Sequence, residues 1–135
     1  MGRTLLILVD THIVLWLAFD ESRLSARARA TISEARKNGG GAAISAITLL
    51  ELVTLASKGR FRVDIDLETF LKEVESRFAI LPITGRACAR TVGLPARYPK
   101  DPADRIIGAT ALVEGLPLVT ADREIRRSKA FQTIW

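Results

Sequence analysis

The chain has 135 residues, of which 48% are hydrophobic and 26% charged, which excludes a disordered tail and fits a single domain over residues 1–135. One cysteine, Cys88, and one histidine, His12, exclude an internal disulfide, a Cys/His zinc site and a two-histidine acid/base pair. Lys and Arg outnumber Asp and Glu by 20 to 15, a net charge of +5, so a polyanion is a reasonable partner and carboxylates are the remaining chemical resource.

The run Leu5–Val9 is continuously apolar and reads as a strand buried on both faces. It is too short for a signal core or a membrane span, so the chain is expected to be soluble and cytoplasmic, with no membrane partner. Residues 11–19 read as a short apolar helix. Ser25 is a plausible N-cap for a helix over 26–37, which Asn38 and the glycines 39–41 end as a linker turn. "AAIS" at 42–45 is a short strand, and 46–57 reads as a helix apolar nearly all round. Residues 58–62 form a turn. Residues 66–77 give an amphipathic helix with Leu67, Phe70, Leu71 and Val74 inward, followed by a strand in 78–83. A helix is predicted over 84–93, and residues 96–102 form a loop. A longer helix starts with Pro102 at its first position and stops at Gly115. Residues 116–122 read as a strand, 122–128 as one or two helical turns, and "FQTIW" at 131–135 as an edge strand.

Apolar strands alternating with helices predict an α/β fold, with a central parallel sheet of four to five strands flanked by helices. In such a sheet, sites form beyond the carboxyl ends of the strands. Four acids fall there. Asp10 ends the first strand, and Asp122 ends the strand at 116–122. Glu51 lies early in the helix after "AAIS", and Asp104 lies in the first turn of the helix opened by Asp101-Pro102.

Each acid also has a structural reading. Asp10 and Asp122 suit helix N-caps, Asp101 and Asp104 suit an acidic capping box, and Glu51 suits pairing with an arginine. Gathered at one rim, the four would repel one another unless a divalent cation sat among them. Mg²⁺ or Mn²⁺ is the ion such oxygens suit, and with a basic surface the implied reaction is phosphodiester hydrolysis by metal-activated water.

At these residues the sequence resembles the PIN-domain family, specifically its VapC-type ribonuclease toxins. The matching segments are "VDTHIVLWL" (9–17), "ISAITLLEL" (44–52), "KGRF" (58–61), "DPADRIIGATAL" (101–112) and "GLPLVTAD" (115–122). The resemblance implies a PIN-like (Rossmann-like) fold and a Mg²⁺- or Mn²⁺-dependent endoribonuclease. It also implies an RNA substrate, a homodimer and inhibition by a cognate VapB-like antitoxin. The family's acidic metal-site residues fall on Asp10, Glu51, Asp104 and Asp122. This chain departs from the pattern at Pro99-Lys100, where many relatives carry His-Arg, and at Ala103, where Phe is common. These departures bear on local substrate contacts.

Around the acids, Thr11 and Thr120 are candidates for orienting a carboxylate or a metal water. Arg105 and Arg123 are weaker candidates for substrate phosphate, with Arg60, Arg62 and Arg86 behind them. Asp101 reads first as a helix cap, with a metal-site role as the lesser alternative, His12 as a local packing or capping residue and Cys88 as core. Leu15, Trp16, Phe19 and Leu24 form an apolar group that suits the core or a groove for an antitoxin helix. Two other readings stay open: a non-catalytic nucleic-acid-binding module of the same fold, and a metal-dependent hydrolase of DNA or small phosphate esters.

Overall fold

The computed structural model describes residues 6–37 and 41–135. Leu5, expected to begin the first strand, and Asn38, Gly39 and Gly40 of the expected linker turn lie outside them. Five strands form one sheet: β1 (Ile7–Val9), β2 (Ala42–Ser45), β3 (Ala79–Leu81), β4 (Leu118–Val119) and β5 (Thr133–Ile134). Their order is β3-β2-β1-β4-β5 and every pairing is parallel. The connections carry α1 (Thr11–Phe19), α2 (Ala26–Lys37), α3 (Ala46–Ser57), α4 (Leu67–Arg77), α5 (Gly85–Arg90), α6 (Pro102–Glu114) and α7 (Arg123–Ser128). Single 3-10 turns follow α1 and α5.

The alternation of side chains along the strands divides the core between the two faces of the sheet. Ile7, Val9, Ala42, Ile44, Val119 and Ile134 pack with α1, α2, α3 and α4, against Ile13, Val14, Ile32, Leu52, Phe70 and Val74. Leu8, Ala43 and Leu118 face the other way, toward Tyr98, Ile107, Ala111 and Ile125. The central strand β1 is therefore fully buried, as a continuous apolar run requires.

Helix starts follow the capping residues. Ser25 accepts from the Ala28 N–H at 3.0 Å, Asp66 from Thr69 and Thr84 from Ala87. Gly115 ends α6 in the left-handed region at φ 65°, as a glycine C-cap should.

Three expectations need adjustment. Only two residues of 116–122 join the sheet ladder, although Leu8 N–H donates to Pro117 O and Thr120 N–H to Ile134 O, so the backbone continues between its neighbours. Helix α3 is not buried all round: Thr48 and Leu52 face inward, while Leu50 is exposed. Cys88 is exposed rather than core, because α5 is short and turns Ala87 inward instead. Of the apolar group near the N-terminus, Leu24 is core, Leu15 and Trp16 pack partly against it, and Phe19 is exposed.

Candidate functional site

Leaving β1, the chain passes to β2 and β3 on one side and returns to β4 on the other. The strand order therefore reverses between β1 and β4, where the crevice of an open parallel sheet forms. Asp10 and Thr120 stand at the carboxyl ends of these two strands. They meet across the crevice: the Thr120 hydroxyl donates to Asp10 Oδ2 at 2.7 Å, although the two lie 110 positions apart in sequence. The other Asp10 oxygen accepts from the Thr11 N–H at 2.9 Å, which makes Asp10 the N-cap of α1. Asp10 is buried, and desolvation raises its pKa above the ordinary carboxylate value despite these two bonds.

Glu51 comes from the second turn of α3 and is half-buried. Thr11 donates to its Oε1 at 2.5 Å, and the same hydroxyl lies 3.0 Å from that of the buried Thr48. Among the described residues no guanidinium neutralises it. Among the described residues the ion pairs are Lys72–Glu68 and Arg127–Glu124, both exposed and neither including Glu51. Burial, followed by the charges of Asp10 and Asp101, raises the Glu51 pKa.

Asp104 lies in the first turn of α6. Its pKa is pushed up to about 7, first by desolvation and then by the negative charges of Asp10, Asp101, Glu51 and Asp122. All five carboxylates thus share one electrostatic neighbourhood. Within it, Glu51, Asp101 and Asp104 each offer an oxygen, and these oxygens lie within 4.8 Å of one another. Asp101 enters this group while also capping α6, accepting from the N–H groups of Ala103 and Asp104. Sequence reasoning put the cap first for Asp101 and a metal-site role second. The signal for more was its i, i+3 spacing from Asp104, which sets both on one face of a helix start.

Asp10 and Asp122 do not belong to the tight group. Asp122 caps α7 through the Ile125 N–H at 3.0 Å, and its own N–H donates to Thr120. Arg105 directs its guanidinium to the carbonyl of Thr91 at 2.9 Å, tying α6 to the turn after α5. Arg123 is exposed, with no ion pair among the described residues. His12 is exposed and its ring is tilted against Trp16 at 6.4 Å.

Clustered hard oxygens without a neutralising cation suit a divalent ion of the Mg²⁺ or Mn²⁺ type. A parallel sheet with acids converging at its switch point is the arrangement found, and the PIN domain matches residues 7–130. The chain belongs to the PIN-domain family. This PIN domain is 35% identical over 131 residues to Ribonuclease VapC22 of Mycobacterium tuberculosis, covering 96% of this chain and 98% of that one. It resembles the structure of VapBC2 from Rickettsia felis bound to a promoter DNA fragment, with a TM-score of 0.72 and 18% identity, covering 96% and 97% of the two chains. It also resembles DNA-bound VapBC from Salmonella typhimurium, with a TM-score of 0.67, 26% identity and 96% of each chain covered. No helix among the described residues is long and apolar enough to cross a membrane.

Proposed function

We propose that this PIN domain is a divalent-metal-dependent endoribonuclease and the toxin of a toxin–antitoxin pair. The observation that carries this reading is the convergence of Glu51, Asp101 and Asp104 from separate parts of the chain, with Asp10 and Asp122 beside them and, among the described residues, no arginine paired with them. The 35% identity to a protein named as a ribonuclease directs the choice of substrate.

Glu51, Asp101 and Asp104 would hold the cation, with Asp10 and Asp122 completing the negative rim. Mg²⁺ or Mn²⁺ there would supply Lewis-acid stabilisation of phosphoryl charge and an activated water. The residues do the rest. Thr11 fixes Glu51 and Thr120 fixes Asp10, so each carboxylate is oriented before substrate arrives. Asp104, whose carboxyl pKa is pushed up to about 7 without metal, would have to give up its proton to hold a cation. Arg123 stands next to Asp122 and is free to meet substrate phosphate, whereas Arg105 serves to hold α6.

The antitoxin's seat in this reading is a groove of about 530 Å³ on the opposite side from α6, lined by Val14, Phe19, Arg36, Arg62 and Phe70 among others. None of the five acids lines it, so an antitoxin anchored there inhibits by extending from the groove to the rim. Phe19→Asp is expected to weaken antitoxin capture while leaving RNA cleavage intact. A homodimer in the cytoplasm completes the reading.

The test uses the purified chain on mixed RNA with Mg²⁺, Mn²⁺ or EDTA, beside Asp10→Asn. The variant is expected to fold, because an amide oxygen still accepts from Thr11 and the Thr120 hydroxyl is able to accept from the amide nitrogen. Cleavage is expected only with metal and only in the wild type. Wild-type cleavage by Asp10→Asn, or cleavage undiminished by EDTA, refutes the proposal. DNA and a phosphomonoester assayed in parallel test the wider hydrolase reading. RNA binding without metal-dependent cleavage favours the non-catalytic module.

A further inference from the structure

The proposed chemistry makes no use of Tyr98, the largest fully buried side chain among the described residues, which is 1% exposed. It comes from the loop before α6, where its N–H donates to Pro95 O at 2.9 Å. Its ring rests against Phe131 at 6.1 Å. Its hydroxyl donates to the backbone carbonyl of Asp104 at 2.9 Å. Opposite the ring stands Gly108, in the middle of α6. A Cβ at that position would lie 2.3 Å from the Tyr98 hydroxyl oxygen and 2.7 Å from Cζ. Glycine inside a helix is unfavourable relative to alanine, and this close approach is the physical reason for one here.

A phenyl ring would fill most of the same space, short of the hydroxyl oxygen over Gly108, without a polar atom to satisfy. The hydroxyl therefore needs an explanation beyond packing, and its partner supplies one. It holds the backbone of Asp104, while the loop anchored by its ring runs three residues on to Asp101. These are two of the three members of the tight acidic group. Burial, with the nearby charges of Asp10, Asp104 and Asp122, raises the phenol pKa far above its usual value, so the hydroxyl remains a donor at any working pH.

We infer that the Tyr98–Gly108 pair is a positioning device. The seat of the ring on Gly108 and the bond to the Asp104 carbonyl hold Asp101 and Asp104 at the spacing at which, with Glu51, they take a divalent cation. The inference rests on the metal-site reading above.

The experiment titrates the full chain with Mn²⁺ and follows free ion by electron paramagnetic resonance, so that activity plays no part. Tyr98→Phe keeps the ring and is expected to weaken binding about tenfold, with an unchanged circular dichroism spectrum. Gly108→Ala is expected to weaken it in the same direction, and the double variant to show less than the product of the two effects. Thr110→Val is the control. It also loses a buried hydroxyl bond to an α6 carbonyl, that of Ile106 at 2.8 Å, but it lies six residues past Asp104 and is expected to bind as wild type. Wild-type affinity in Tyr98→Phe, or equal weakening in Thr110→Val, overturns the inference while leaving the metal site standing. Wild-type protein that binds no Mn²⁺, or binds it unchanged after Glu51→Gln with Asp104→Asn, removes the metal-site reading and this inference together.

Discussion

Asp104 carries the most direct pH signature. In an unfolded chain its carboxyl ionises near 3.8, whereas in the fold it ionises near 7, because burial and four neighbouring anions oppose the charge. A pKa raised by folding means that the group's stabilising contribution is complete below the unfolded value and is lost as pH rises through the folded one. Asp10 and Glu51 are shifted in the same direction. Metal-free protein is therefore expected to melt at lower temperature as pH rises from about 4 to about 7, and Asp104→Asn to flatten that slope in thermal scans. Cation affinity runs the other way, since the ion competes with the proton. It is expected to rise up to about pH 7 and then level off in Mn²⁺ titrations. Thr120 gives a second test at this scale. Thr120→Val removes the 2.7 Å donor to a buried carboxylate, at an expected cost of about 1–3 kcal/mol in urea unfolding.

At the scale of elements, the start of α6 performs two functions with one side chain. Asp101 caps the helix and also belongs to the acidic group, and substitution separates these tasks. Asparagine caps about as well as aspartate, but it brings no charge to a cation. Asp101→Asn is expected to keep the wild-type melting temperature and lose cation affinity. Asp101→Ala is expected to lose affinity and also about 1 kcal/mol of stability. Equal affinity in wild type and Asp101→Asn would leave Asp101 as a cap only. The two glycines of α6 differ in kind. Gly115 is required by its own backbone, at φ 65°, whereas Gly108 is required by the tyrosine packed against it. Gly115→Ala is expected to cost about 1 kcal/mol or more through left-handed strain, with no effect on metal binding.

For the whole molecule, the charge distribution separates two roles. The chain is basic overall, yet five of its 15 acidic residues gather at one rim of the sheet. In the proposed function a polyanion would be attracted by the molecule as a whole and repelled locally by the rim unless a cation neutralised it. The proposed RNA binding, measured on the Asp10→Asn chain, is expected to weaken with a log affinity linear in log salt, as phosphate contacts release counterions. Mg²⁺ at about 100 times its dissociation constant is expected to stabilise the fold by about 2.7 kcal/mol, and EDTA to reverse the shift.

Much of this architecture is local in origin and legible from the residues alone. The apolar run up to Val9, the caps at Ser25 and Asp101, and the stop at Gly115 act over a few residues, so sequence order suffices to recognise them. The parallel sheet follows from the alternation of these elements, and the carboxyl ends of its strands mark where Asp10 and Asp122 emerge. The exposure of Cys88 was not legible, because it depends on which side of a six-residue helix meets the sheet. The tight group of Glu51, Asp101 and Asp104, the bond between Asp10 and Thr120, and the Tyr98 ring over Gly108 were decided only by tertiary packing. These contacts join residues up to 110 positions apart, and their geometry is set by how α3, α6 and the loop before α6 seat against the sheet. Composition and periodicity determine that acids reach one rim; side-chain packing in three dimensions decides which of their oxygens converge.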